Sequence, residues 1–195
     1  MNIILVHGVF DSGTIFKHMS AQLEAHGHTC YSPSLKPASA RLGIADLALK
    51  LQDYIDVSLE NDDCFVLVGF SMGCLVARYY LQELDGYQRC PVFHAISGPH
   101  YGSWWAWLFW WQGAKDMRPR SELLTTLENS QQRLKEMALF SYRTPYDLMI
   151  LPSTSSTWAL AENHISHVCL HNLMVRDKKI IHMIIQSISP STPSL

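Results

Sequence analysis

The chain has 195 residues, a length that fits one domain, and a domain of this size buries about 70% of its unfolded surface. Only 16% of the residues are charged, against about 25% in a typical domain, and 48% are hydrophobic, which excludes disordered, coiled-coil and collagen-like chains. The net charge of −2 creates no positive field for a nucleic acid. The most unusual feature is tryptophan: the chain contains six, of which five lie within residues 104–111.

The apolar runs are too short to span a membrane. The densest run is residues 104–111, whereas a spanning helix needs about 18 uninterrupted apolar residues. The apolar run at residues 3–6 has no lysine or arginine before it and is followed at once by His7 and Gly8, so it does not have the pattern of a secretory signal. We therefore expect a cytoplasmic protein.

Strand-like and helix-like segments alternate along the chain. Apolar runs bounded by turns predict strands at about residues 3–6, 64–68, 92–96, 136–142 and 167–170, and residues 29–32 are interpreted as a further strand. Amphipathic periodicity predicts helices at about residues 14–26, 43–60, 72–84, 121–128 and 175–188. This order predicts a single α/β domain over residues 1–188, with a mostly parallel central sheet of about six strands flanked by helices. Residues 189–195, rich in proline and serine, are expected to form a flexible tail.

A serine motif follows the third predicted strand. Residues 69–73 read Gly-Phe-Ser-Met-Gly, a G-x-S-x-G pattern between a strand and a helix. In this context the serine occupies a sharp turn with positive φ, so the residues two before and two after it must lack a Cβ atom. The helix that follows directs its first N–H groups, that of Met72 nearest, at an oxyanion formed beside Ser71. The alternative is a tight turn with an incidental serine, which the strand-turn-helix context disfavours.

A second loop of interest follows the first strand, at His7 and Gly8. In this order of elements the loop lies beside Ser71 at the carboxyl ends of the strands, where open α/β sheets bind ligands. A backbone N–H of this loop, that of Val9 first and that of Phe10 next, is the expected second donor to the oxyanion.

Three segments resemble those of the α/β-hydrolase family, and within it the small bacterial lipases and esterases. They are residues 5–8 (Leu-Val-His-Gly), residues 69–73, and residues 97–103 (Ser-Gly-Pro-His-Tyr-Gly-Ser), which are similar to the lipase pattern T-P-H-x-G-S. The resemblance implies an α/β-hydrolase fold with Ser71 as nucleophile, followed along the chain by an acid and then a histidine. It implies no metal and no organic cofactor. The chain departs from the family at Cys74 and at residues 97–98, where lipases commonly carry Gly and Gly-Thr.

The acid is expected after the fifth predicted strand. Residues 147–152 read Asp-Leu-Met-Ile-Leu-Pro and resemble the family's D-x-x-V-x-P, which makes Asp147 the predicted acid. Such a carboxylate fixes the tautomer of the histidine and stabilises its charged form. The alternatives are Asp116, Glu162 and Asp177. Asp116 precedes the relevant strand, and the other two have the pattern of surface positions on or beside helices.

Three histidines follow Asp147, and His171 is the predicted base. It comes directly after the strand predicted at residues 167–170, where a strand end delivers a side chain to the active face; His167 is the alternative. His164, His167 and His171 would form a zinc site if they shared one helical face. The segment has the pattern of loop and strand and lacks an H-E-x-x-H motif, so we predict no metal.

The tryptophans belong to a segment, residues 104–120, that follows the P-H-x-G-S element. In lipases this region often carries a lid or the wall of the acyl pocket. We therefore expect Phe10, His100, Trp104 and Trp105 to contact the substrate. Indole is also favoured at a membrane interface, because it is apolar with one N–H donor, so a lipid surface is a further expected partner. The alternative is a short helix buried against the core or in a dimer.

These features predict a serine carboxylic-ester hydrolase of the esterase or lipase type. Ser71 attacks the ester carbonyl, His171 takes and returns the proton, and water hydrolyses an acyl-enzyme on Ser71. The same triad would serve an acyltransferase or thioesterase. A non-catalytic module that binds lipid or protein is the third hypothesis. No nucleic-acid partner is expected.

Overall fold

A six-stranded parallel sheet forms the centre of the protein. The computed structural model describes residues 1–188, so the predicted tail at residues 189–195 lies outside the described residues. The strands are β1 Asn2–Val6, β2 Thr29–Tyr31, β3 Phe65–Phe70, β4 Val92–Ile96, β5 Ala138–Arg143 and β6 Glu162–Ile165. They occur in the order β2-β1-β3-β4-β5-β6, and each neighbouring pair is parallel. The predicted α/β class and number of strands are confirmed.

Helices cover both faces of the sheet. They are α1 Lys17–Glu24, α2 Ile44–Ser58, α3 Met72–Glu83, α4 Gln112–Asp116, α5 Glu122–Asn129 and α6 Lys178–Ile188. Side chains of α1 and α6 share one buried cluster with Ile3 and Leu5, and those of α2, α3 and α5 share the other with Ile4 and Val6. Because alternate residues of β1 point to opposite faces and both faces are covered, the strand is apolar throughout.

The strand order reverses between β1 and β3. From β1 the chain continues to β2 on one side of the sheet, and from β3 it continues through β4, β5 and β6 on the other. In open parallel sheets this reversal leaves a crevice at the carboxyl ends of the strands. Val6 pairs with Gly69, so the loop after β1 and the turn after β3 begin at the same level. The two glycine-containing motifs of the sequence therefore meet at this edge.

The strand predicted at residues 167–170 is wrong. The sixth strand is β6, and residues 167–170 form a loop before a short 3-10 helix at His171–Arg176. β6 pairs with β5 alone and is largely exposed, so its sequence Glu-Asn-His-Ile lacks the apolar run of a central strand. The last helix consequently begins at Lys178 rather than near residue 175.

Residues 104–120 fold as a short excursion between β4 and α5. It contains a 3-10 helix at Trp104–Leu108, followed by α4. At its base, the N–H of Ser103 donates to the carbonyl oxygen of Met117 at 2.9 Å, and the N–H of Gly113 donates to that of Ala40 at 2.9 Å. Within residues 1–188, no helix has both the length and the apolar character needed to cross a membrane.

Candidate active site

Ser71 stands at the turn between β3 and α3. Its φ of 54° and ψ of −124° confirm the positive φ predicted from the motif. A Cβ atom on Gly69 would lie 2.8 Å from Cα of Cys74, and one on Gly73 would lie 2.1 Å from the carbonyl oxygen of Val6. Both positions therefore require glycine, because any side chain would push α3 away from the sheet.

The loop after β1 packs directly against this turn. A Cβ atom on Gly8 would lie 3.1 Å from Cβ of Ser71. The buried ring of His7 fixes the loop: Nε2 accepts the N–H of Leu35 at 2.9 Å, which leaves the proton on Nδ1 to be donated to the carbonyl oxygen of Gly8 at 2.8 Å. Sequence reasoning identified the turn but missed this role of the imidazole.

Two backbone N–H groups beside Ser71 are available to an oxyanion. The N–H of Met72 opens α3, and that of Val9 lies in the loop after β1; neither donates to an acceptor within residues 1–188. The N–H of Phe10 donates to the carbonyl oxygen of Ala38 at 2.9 Å, so it is not free for this purpose. The N-terminal end of α3 adds a partial positive charge at the same place.

Asp147 and His171 form a hydrogen bond. Nδ1 of His171 donates to Oδ2 of Asp147 at 2.7 Å, which leaves Nε2 as the unprotonated nitrogen of the neutral ring. Oδ1 accepts the N–H groups of Met149 at 2.9 Å and Ile150 at 3.0 Å. Burial alone would raise the pKa of the Asp147 carboxyl, but the hydrogen bond and charge of His171, with these two N–H groups, lower it below its usual value. The carboxylate is therefore ionised and fixed in orientation.

Loop contacts bring His171 next to the turn that carries Ser71. Oγ1 of Thr144, after β5, donates to the carbonyl oxygen of Val168, after β6, at 2.6 Å. This bond joins the loop that follows β5 and carries Asp147 to the loop that follows β6 and leads to His171. The ring of His171 packs on the ring of Phe70, with 4.8 Å between centroids. Because Phe70 immediately precedes Ser71, the imidazole lies beside the turn.

Ser71, His171 and Val9 line one cavity of about 440 Å³. The other lining residues are Asp11, Phe70, Tyr146, Leu148, Met149, Cys169, Leu170 and Asn172. Sequence reasoning missed these wall residues. The signal that could have found them is position, since each lies within two residues of a predicted site residue.

Asp11 brings a second carboxyl group to this cavity. Burial raises its pKa above the usual value, and a positive charge on the ring of His171 acts in the opposite direction. Its carboxylate therefore interacts favourably with a protonated His171 ring.

The alternative acids serve other parts of the fold. Asp116 accepts the N–H that begins α2, at 2.8 Å, and Asp177 accepts an N–H near the start of α6, also at 2.8 Å. Glu162 lies on β6, 3.1 Å from Nε2 of His164, so its predicted place on or beside a helix is wrong. Among the described residues none of these three carboxylates contacts His171.

Of the three histidines after Asp147, the structure brings His171 to this carboxylate. His167 is exposed, and its ring lies 6.5 Å from that of Tyr146. His164 lies on β6 and stacks on Tyr142, with 5.4 Å between centroids. Within residues 1–188, no group of three His, Cys, Asp or Glu side chains is arranged to hold a metal ion.

Four residues expected to contact the substrate, Phe10, His100, Trp104 and Trp105, do not line the cavity that contains Ser71. His100 is buried against Trp158, with 4.7 Å between ring centroids, and lines a separate cavity of about 320 Å³. Burial and the charge of the neighbouring Arg78 hold its pKa well below the usual value.

The other three lie outside the cavity. Phe10 is 66% exposed and lines a groove beside the cavity, and Trp104 is 63% exposed. Nε1 of Trp105 donates to the carbonyl oxygen of Leu148 at 2.7 Å, which holds the indole against the outside of the cavity wall. Direct substrate contact by these residues therefore finds no support in the geometry, and residues 104–120 do not form a wall of this cavity.

Comparison with known proteins agrees with the fold. A family model described as the alpha/beta hydrolase family matches residues 3–173. The chain belongs to the α/β-hydrolase family. No curated protein matches it in sequence.

Solved structures of lipases and esterases share the fold of this α/β hydrolase at low sequence identity. The mature form of a Bacillus licheniformis lipase has a TM-score of 0.75 and 15% identity, over 97% of this chain and 92% of that one. A methylesterase from Arabidopsis has a TM-score of 0.68 and 10% identity, over 96% of this chain and 98% of that one. Aspergillus fumigatus lipase B has a TM-score of 0.79 and 14% identity, over 97% of this chain but 52% of that one.

Proposed function

We propose that this protein is a serine carboxylic-ester hydrolase of the esterase or lipase type. The observation that carries the proposal is the 2.7 Å hydrogen bond from His171 to Asp147, on a ring that lines the same cavity as Ser71. A serine hydroxyl is a poor nucleophile near neutral pH unless a base accepts its proton. A histidine whose Nδ1 proton is given to a carboxylate keeps Nε2 free for that purpose.

In the proposed reaction, Oγ of Ser71 attacks the ester carbonyl carbon while Nε2 of His171 takes the hydroxyl proton. The N–H groups of Val9 and Met72 donate to the oxyanion that forms, assisted by the N-terminal end of α3. The protonated His171 gives its proton to the departing alcohol and leaves an acyl group on Ser71. Water then attacks this acyl group, again with His171 as base, and the carboxylic acid departs. Asp147 remains ionised and stabilises the charged ring.

The cavity favours an uncharged ester with an apolar acyl group. Phe70, Leu148, Met149 and Leu170 form an apolar wall, and a volume of about 440 Å³ falls in the usual range of small-molecule sites, about 300–1,000 Å³. The carboxyl group of Asp11 at the same cavity, when ionised, disfavours a negatively charged group nearby.

Hydrolysis of p-nitrophenyl esters of increasing acyl length tests the proposal. The wild type is expected to turn over repeatedly, and Ser71→Ala is expected to lower kcat at least about 10⁴-fold, because it removes the nucleophile. Circular dichroism checks that the variant is folded. If folded Ser71→Ala keeps the wild-type rate, the proposal is wrong.

A matched pair of variants tests the choice of base. His171→Ala should approach the low rate of Ser71→Ala, whereas His167→Ala should keep the wild-type rate, because His171 is the histidine that contacts Asp147. The opposite result would assign the base to His167. Adding a competing alcohol and analysing the products separates hydrolysis, which yields the free acid, from acyl transfer, which yields a new ester.

A further inference from the structure

An apolar surface surrounds the cavity at the carboxyl edge of the sheet. Fourteen of the eighteen large hydrophobic side chains that are exposed within residues 1–188 lie in the segments that follow the carboxyl ends of strands. Large exposed apolar patches mark interaction sites, because water solvates them poorly. We call the following residues the docking surface: Phe10, Trp104, Trp105, Trp107, Leu108, Phe109, Trp110, Leu148 and Leu170.

Ring contacts and one arginine hold part of the docking surface in place. The ring of Trp111 contacts those of Phe10 and Trp110, at 6.0 and 6.2 Å between centroids. The guanidinium of Arg118 lies 4.5 Å above the Trp107 ring and donates to the carbonyl oxygen of Phe109 at 2.8 Å. The exposed indoles are therefore presented by a fixed backbone.

We propose that the docking surface binds the surface of an anionic phospholipid bilayer. Trp110 is 78% exposed and Trp107 is 60% exposed, so each presents an apolar ring with one N–H donor to the solvent. Such rings concentrate at the boundary between lipid headgroups and hydrocarbon, where both properties are satisfied.

The charge at the border of this surface favours anionic lipid. The border carries four positive side chains and three carboxylates, a local net charge of +1, although the whole chain has a net charge of −2. The positive side chains are those of Lys115, Arg118, Arg120 and Arg176, and the carboxylates are those of Asp11, Asp116 and Glu122. Within the described residues, Lys115, Arg120 and Arg176 form no ion pair with the protein. Anionic headgroups supply the missing partners, whereas two copies of this face would bring like charges together.

Docking in this way orients the cavity towards the membrane. Leu148 and Leu170 belong both to the docking surface and to the cavity wall, and the indole of Trp105 is bonded to the backbone of Leu148. A bilayer that covers the indoles therefore also lies at the cavity mouth. The docking proposal goes beyond ester hydrolysis and does not depend on it.

Cosedimentation with vesicles tests the proposal. Full-length protein is mixed with unilamellar vesicles of phosphatidylcholine alone or of phosphatidylcholine with phosphatidylglycerol. We expect stronger binding to the vesicles with phosphatidylglycerol and a blue shift of tryptophan emission on binding. The double variant Trp104→Ser/Trp110→Ser should weaken binding at least about tenfold, because it lacks two apolar rings that leave water when the wild type docks.

Matched controls separate the docking surface from general effects. Val57→Ser removes an apolar side chain that is 88% exposed on α2, and it should leave binding unchanged. Lys115→Gln/Arg120→Gln should weaken binding to phosphatidylglycerol vesicles by about tenfold or more, whereas Lys135→Gln should not. Ser71→Ala should bind as the wild type does, so a failure of ester hydrolysis leaves this result intact.

Three outcomes would overturn the docking proposal. The first is absence of binding to either kind of vesicle. The second is equal binding by the wild type and the double tryptophan variant. The third is a dimer in sedimentation velocity that the tryptophan substitutions dissociate, which would assign the surface to a second copy of the chain.

Discussion

Two neighbouring strands, β3 and β4, lead into regions that are built on opposite principles. The turn after β3 is buried, and Ser71 is 6% exposed. The glycines at positions 69 and 73 are required because a Cβ atom on either would lie within 3 Å of backbone atoms. The excursion after β4 presents Trp104, Trp107 and Trp110 to solvent at 60% exposure or more. The comparison teaches that backbone packing fixes the position of the serine, whereas the apolar surface around the cavity is built from side chains that are largely exposed.

The largest expected effect lies on the chemical side of this comparison. Asp147→Asn should lower kcat for ester hydrolysis by about 10⁴-fold, because an amide can donate to Nδ1 and thereby favours the wrong tautomer of His171. Steady-state kinetics with a p-nitrophenyl ester measures the loss. A variant that retains most of the wild-type kcat would show that Asp147 does not orient the base.

The same variant has a consequence for stability as a function of pH. The pKa of the Asp147 carboxyl is lower in the folded protein than its usual 3.8, so ionisation favours the folded state above that pH, and the contribution is lost as the pH falls through the folded pKa. The stabilisation of the wild type relative to Asp147→Asn should therefore shrink as the pH falls below 3.8. Urea unfolding over a pH series measures it, and a difference that never changes would contradict the assignment.

An intermediate effect is expected from the glycine that follows the serine. Gly73→Ala should lower the free energy of unfolding by about 3 kcal/mol or more, because the new Cβ atom would lie 2.1 Å from the carbonyl oxygen of Val6. Gly27→Ala is the control: it has a φ of 80° but no atom within 4 Å of the new Cβ, so its cost is limited to about 1–2 kcal/mol of backbone strain. Equal losses in the two variants would show that the close approach of α3 to β1 is not what demands glycine.

The smallest effect is expected in the tryptophan-rich excursion. Trp110→Ser should change the free energy of unfolding by no more than about 0.5 kcal/mol, because the ring is 78% exposed. Urea unfolding monitored by circular dichroism measures the change. A loss of several kcal/mol would mean that the indole packs in the folded state and would remove the contrast with the turn at Ser71.

The turn at Ser71 could be predicted from sequence because its constraints are local. The glycines at positions 69 and 73 and the apolar strand before them determine the backbone over a few residues. Five of the six strands could be recognised as well: β1, β3, β4 and β5 lie inside the sheet and carry apolar runs, and β2 is a short edge strand. β6 could not, since an exposed edge strand with the sequence Glu-Asn-His-Ile lacks that signal.

The direction of the indoles could not be predicted either. Indole is apolar but carries one polar atom, so the sequence allows a buried, a substrate-facing or a solvent-facing ring. A single hydrogen bond from Trp105 to the backbone of Leu148, 43 residues along the chain, helps to decide the outcome. The pairing of His171 rather than His167 with Asp147 likewise depends on contacts between distant loops, including that of Thr144 with Val168.

Covalent labelling tests the central claim most directly, namely that Ser71, His171 and Asp147 act as one site. Folded protein is treated with a fluorophosphonate, and the modified residue is identified by mass spectrometry of its peptides. We predict one adduct per chain, on Ser71, that is absent in Ser71→Ala and forms far more slowly in His171→Ala than in His167→Ala. No adduct on folded wild-type protein, or an adduct on a residue other than Ser71, would contradict the account.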